Sequence, residues 1–149
     1  MKNDIVYNKS NAIEKYKVRI SQTSKRLFVS LQNDNNLNSD KVQRLADSLC
    51  KDFKCLSVNV FFGGRQPNST NERGKLKSKT LGNYASVLRQ IKVFKYTAKQ
   101  NKIVASKTAI NTFIHEFVHH LDYYHSKLGG SLHTRGFYMR ISWLTENLK

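Results

Sequence analysis

Residues 112–122 read Thr112-Phe113-Ile114-His115-Glu116-Phe117-Val118-His119-His120-Leu121-Asp122, and this stretch decides how the chain is read. Phe113, Phe117 and Leu121 recur every four residues. The spacing predicts a helix from Ser106 to about Lys127, broken at Gly129-Gly130. Within it lies H-E-x-x-H. Residues four apart share a helix face, about 6 Å apart along the axis, so the imidazoles of His115 and His119 can reach one zinc ion. Glu116 sits on the flank of that face. From there its carboxylate can take a proton from a water on the metal and pass it to a leaving amine without ligating the metal itself. Random placement of five His and four Glu would give this pattern in about 0.4% of such chains.

A zinc site of this kind needs a third protein ligand. His120 points about 100° away from His119 on the same helix. His125 gives H-E-x-x-H-x-x-D-x-x-H, which needs a sharp turn after the second histidine. Asp122 occupies the turn position, and it enters left-handed conformations less readily than Gly. His133 is the preferred ligand, because Gly129-Gly130 lets the chain reverse and a following helix can return His133 over the motif. His125 stays as the alternative. Asp122 is a candidate to orient a ligand histidine through its second ring nitrogen.

Composition bounds the rest. The chain has 149 residues with 26 Lys+Arg against 10 Asp+Glu, a formal charge of +16. That length suits one domain, 1–149, in which 38–149 form the readable core and 1–37 an N-terminal segment of uncertain structure. No apolar run approaches a membrane span, and Met1–Lys17 holds no stretch like a signal peptide. Cys50 and Cys55 are too few for a disulfide scaffold and read as small core residues. The expectation is a soluble, cytoplasmic protein. Between Arg65 and Lys107 stand 11 basic residues and one acid, Glu72. Such a stretch attracts phosphate backbones, so non-specific DNA is a candidate partner. A solvated Lys-rich surface explains the same count.

Along the chain, alternation at Val18 and Ile20, and again at Leu27, Val29 and Leu31, suggests two short strands, with a helix through Ile13, Tyr16 and Ile20 as the alternative. Ser39 and Asp40 offer N-caps for a helix over about 41–53. Residues 55–62 read as a buried strand, and 65–79 as an exposed basic loop. Residues 82–97 read as two strands or a hairpin. If the strand at 91–96 is a sheet edge, an extended substrate can pair with it. A last helix starts near His133, with Phe137, Ile141, Leu144 and Leu148 on one stripe. Strands early and helices late predict an α+β domain. Its short mixed or antiparallel sheet would pack on the H-E-x-x-H helix and on a C-terminal helix bearing the third ligand.

The stretch 112–122, followed by His133-Thr134-Arg135-Gly136-Phe137-Tyr138, resembles the SprT-like zinc metallopeptidases. That family pairs H-E-x-x-H with a third histidine at the head of the next helix, in an H-G-x-x-F/W pattern. Here His133 follows His119 by 14 residues, and Phe137 matches the aromatic. Leu81-Gly82-Asn83-Tyr84 and the 91–96 strand also look like the sheet before the family's active helix. The resemblance covers 80–145 well, 40–80 loosely and 1–37 not at all. It implies a small zincin-like fold, Zn2+ held by His115, His119 and His133, and Glu116 as catalytic base. Thr134 stands where the family has Gly, and two cysteines supply no four-cysteine zinc ribbon of the kind many bacterial relatives append. Eukaryotic members cleave proteins crosslinked to DNA.

The expected function is therefore a zinc-dependent endopeptidase acting on a protein substrate, with DNA-associated or DNA-crosslinked proteins as candidates. Two alternatives stand beside it. One is a basic nucleic-acid-binding protein with a structural or degenerate metal site. The other is a mobile-element protease dedicated to one partner, such as a repressor. Tyr138, Arg135, Tyr123 and Tyr124 are candidates to stabilise an oxyanion.

Overall fold

The computed structural model describes residues 2–66, 81–97 and 102–149, with the side chains of Lys2 and Asn3 left aside. Among these residues the order is α1 (Lys2–Ala12), α2 (Gln22–Gln32), α3 (Ser39–Phe53), β1 (Asn59–Phe62), β2 (Gly82–Ala85), β3 (Gln90–Val93), α4 (Ser106–Tyr124) and α5 (Arg135–Leu148). The strands form one mixed sheet in the order β1-β3-β2. β1 runs parallel to β3, and β2 antiparallel to it. The domain is α+β, with helices packed around a short sheet. No helix among the described residues is long and apolar enough to cross a membrane.

α3 forms where its pattern predicts. Val42, Leu45, Ala46, Leu49 and Phe53 are buried along one stripe. Its cap is Asn38, whose side chain accepts from the Lys41 N–H at 2.9 Å, not Ser39 or Asp40. The Ser39 hydroxyl is used elsewhere: it accepts from the Phe62 N–H at 2.8 Å and so pins the end of β1. α3 ends at Lys54 in the left-handed region, φ 53.

The N-terminal third departs from the strand reading. Leu27, Val29 and Leu31 lie on α2, where Ser24, Phe28 and Leu31 form the buried face and Val29 is exposed. Apolar residues on both sides of a helix imitated a period of two. The true stripe, Ser24-Phe28-Leu31, is hidden because its first member is a serine. That serine is buried because its hydroxyl bonds Asp52 at 2.7 Å and Ser48 at 2.6 Å. Tyr16, Ile20, Phe28, Leu31 and Leu37 belong to the same core as α4, so residues before 38 help build the support of the motif helix.

β3 is the central strand, not an edge. Ile91 and Val93 are buried against the helices, and Lys92 points outward. The edge beside α4 is β2. Gly82 allows this approach: a Cβ there would lie 2.6 Å from the Lys92 carbonyl oxygen and 2.9 Å from the Thr112 methyl. Val87 and Leu88, expected in a strand, sit exposed in the β2–β3 turn. Of the basic stretch, Arg73, Lys75, Lys77, Lys79 and Lys99 lie outside the described residues, as does most of the 65–79 loop.

α4 is the axis of the domain. Ala109, Ile110, Phe113, Ile114, Phe117, Val118 and Leu121 are buried, each large side chain contributing about 1.5–3 kcal/mol of apolar burial. The helix ends at Tyr124. The chain then reverses through Lys127 (φ 52) and Gly129 (φ 77). α5 starts at Arg135, capped by Thr134, whose hydroxyl accepts from the Phe137 N–H at 3.0 Å. The residue that departs from the family's glycine is thus the helix cap. It also bonds Ser10 at 2.7 Å and so ties α5 to α1. Glycine is needed instead at 136, where a Cβ would lie 2.1 Å from the Ser10 carbonyl oxygen.

Candidate metal centre

His115 and His119 sit half-buried on one face of α4, and the reversal at 125–130 returns the exposed His133 over them. His133 Nε2 lies 3.3 Å from His115 Nε2 and 3.0 Å from His119 Nε2. Ligands about 2.0–2.1 Å from a tetrahedral zinc are separated by about 3.3 Å, close to both of these separations. The three donors lie close enough together to hold a metal ion.

Phe137 forms the floor beneath them. Its buried ring stacks on His119 at 4.5 Å and meets His115 edge-on at 5.1 Å and His133 at 5.2 Å. Burial lowers His119 to about 3, helped by His115, His133 and Arg140. Burial, then His133, lowers His115. Both imidazoles are therefore neutral at pH 7, the state a metal ligand requires.

The tautomer of His119 follows from its neighbours. The Ser131 hydroxyl donates to Asp122 Oδ2 at 2.6 Å. Its single hydrogen is then used, so His119 Nδ1–H donates to Ser131 Oγ, also at 2.6 Å. That leaves the Nε2 lone pair facing the centre. Asp122 thus acts on His119 through Ser131 rather than directly. The carboxylate is fully buried, and Arg140 Nη2 lies 3.2 Å from it. Arg140 also donates to the carbonyls of Ser10 at 2.6 Å and Ile13 at 2.7 Å, closing the C-terminal end of α1.

Glu116 is buried beside the triad, and burial raises its carboxyl to about 7. It lines a cleft of about 500 Å³ together with Leu81, Gly82, Thr112, His115 and His133. A second hollow of about 350 Å³ continues past His119, Ser131 and Tyr123. The edge strand β2 borders both.

His125 is not part of this group. Its Nδ1–H donates to the Phe53 carbonyl at 3.2 Å, and its ring packs on Tyr16 and Phe53. His120 faces away from it, with Nδ1 2.8 Å from the Tyr84 hydroxyl and Nε2 2.8 Å from the Leu56 carbonyl. Of the oxyanion candidates, Tyr124 donates to the Ser86 carbonyl and Arg135 pairs with Glu14. Tyr138 stays exposed near the triad, 6.0 Å from His133 and 6.3 Å from His115 between ring centres. Ser131 and Arg140 were not foreseen. Arg140 carried a signal: it falls between Phe137 and Leu144 on an apolar stripe, where a charge needs a buried partner.

Compared with protein-family models, with curated proteins and with solved structures, the chain gives no match.

Proposed function

We propose that the chain is a zinc-dependent endopeptidase of the SprT-like, zincin kind. One observation carries the reading: the imidazoles of His115, His119 and His133 converge through Nε2 beside a cleft that also holds the buried glutamate of the motif helix. His115, His119 and His133 would hold the ion. When bound, zinc supplies Lewis-acid activation of a water and of the scissile carbonyl. Glu116 takes the proton of the attacking water and delivers it to the leaving amine, with a carboxyl set near neutrality by burial. Tyr138 would stabilise the oxyanion; its exposed ring lies beside those of His115 and His133.

The substrate is a protein segment in extended form. β2 is a sheet edge along the cleft, and an extended peptide can add to it through main-chain hydrogen bonds. Arg65, Lys92, Lys102 and Lys107 are exposed, and this charge favours a substrate held on DNA. A steep fall of DNA affinity with salt supports that part. Indifference to DNA in both binding and cleavage favours a single dedicated protein partner instead.

The deciding variant is Glu116→Gln. It should retain zinc and lose proteolysis by about 10²-fold or more. A variant with zinc and full proteolysis overturns the mechanism.

A further inference from the structure

A second group of metal-binding side chains lies on the other side of α4. Cys50, in the last turn of α3, Cys55, just beyond it, and His120, on α4, bring their donor atoms within 4.8 Å of one another. Both cysteines are free thiols. The arrangement is built by the backbone. Lys54 turns the chain in the left-handed region, and the Cys55 N–H returns to the Cys50 carbonyl at 3.1 Å, which folds the two sulfurs together. His120 is fully buried and adjacent in sequence to His119, yet it projects about 100° away around the helix, toward Tyr84 and the Leu56 carbonyl.

We infer that Cys50, Cys55 and His120 form a second metal site, specific for a thiophilic divalent ion such as Zn2+, that clamps the end of α3 to the motif helix. Two thiolates and an imidazole are the donor set that soft and borderline metals select over Mg2+ or Ca2+. Each nitrogen of His120 has an oxygen partner, Tyr84 or Leu56. Whichever nitrogen turns to the metal, the other keeps a partner that fixes the ring, as is usual for metal-ligating histidines. Cys50 and His120 are buried, while Cys55 is partly exposed and gives the ion a way in and a fourth, open position. The thiols are prepared for the charge. Contact with Cys50, and then with His120, pulls Cys55 down to about 5, while the same contact and burial push Cys50 up. Metal binding takes both sulfurs as thiolates and so releases their protons to solvent.

Co2+ is the probe, because a thiolate on cobalt produces a near-ultraviolet charge-transfer band that an all-histidine site lacks. The full chain should bind about two equivalents and show the band. His133→Ala should lose one equivalent and keep the band, and Cys55→Ser should lose the band and keep the other. A folded full chain that saturates with cobalt and shows no thiolate band overturns the inference. So does a Cys50–Cys55 disulfide that forms under mild oxidation at the same rate with and without zinc. If Cys55→Ser does not fold, alkylation of the wild-type chain decides. Saturating zinc should slow labelling of Cys55 by about tenfold or more, and unchanged labelling overturns the site. None of these readouts depends on peptidase activity.

Discussion

Asp122 and Arg140 form an ion pair at 3.2 Å with neither side chain exposed to solvent. The pair links two distant parts of the molecule. Arg140 holds the carbonyls at the end of α1, and Asp122 holds Ser131, which in turn sets the tautomer of His119. The N-terminal helix and the candidate metal centre are joined by one hydrogen-bonded line.

Breaking that line from the acidic side should cost the fold. Asp122→Ala leaves the Arg140 guanidinium buried without its counter-charge, and the expected loss is about 3–5 kcal/mol in denaturant unfolding. A double variant, Asp122→Ala with Arg140→Met, should recover part of it. If Asp122→Ala unfolds at the wild-type denaturant concentration, the pair is not the support described.

Ser131→Ala tests positioning apart from ligation. It removes no ligand and no charge, but His119 loses the acceptor that holds Nδ1–H. Zinc affinity should fall about 10–100-fold, measured by competition with a chromophoric chelator. Ser131→Thr should restore much of it. An affinity equal to wild type would mean that His119 is oriented by Phe137 stacking alone.

The metal-free protein should carry a pH signature from Glu116. Its folded value of about 7 is above the ordinary carboxyl value of 4.5. The stability it contributes is therefore present below about pH 4.5 and lost as pH rises through 7. Metal-free Glu116→Gln should match wild type near pH 4 and exceed it near pH 8, by at most about 3 kcal/mol. His115 and His119 titrate in both proteins, so they cancel in the difference. Zinc should shrink or reverse the gap, since a dication favours the carboxylate. A difference that does not change between pH 4 and 8 would show that burial does not perturb Glu116.

Two glycines should resist alanine. Gly82→Ala drives a methyl against the Lys92 carbonyl and the Thr112 side chain, displacing β2 from α4. Gly136→Ala drives one into the backbone of α1 at Ser10. Each should destabilise by about 1–3 kcal/mol or more, seen as a lower Tm. Gly136→Ala should also speed proteolytic nicking of the first helix. Gly129→Ala is a useful contrast: a Cβ there meets nothing within 4 Å, and only its left-handed φ of 77 opposes the change.

Much of this was legible in one dimension, for local reasons. The helical spacing of α4, the H-E-x-x-H face and the stripe of α5 are all set by neighbours within a few residues, although α4 ends at Tyr124, ahead of Gly129-Gly130. They suffice to bring His133 over His115 and His119, because the chain reverses within about ten residues of the motif. α2 was not legible, since its buried face opens with a serine whose partners, Ser48 and Asp52, come from α3. The edge of the sheet was not legible either. β1 and β3 pair in parallel across a long connection, and no local pattern states which strand ends in the middle.

The sequence by itself determined the motif helix, the candidate ligands, the flanking glutamate and the α+β class, though not the order of elements, which opens with three helices rather than strands, because helix periodicity and ligand spacing are local properties. The tertiary structure decided the rest. It set aside His125 by packing it between Tyr16 and Phe53, and it put β2 rather than β3 at the cleft. It also made Asp122 act through Ser131, and gathered Cys50, Cys55 and His120 on the far side of α4. These depend on contacts between residues far apart in the chain, where burial and charge compensation, not spacing, select the partner.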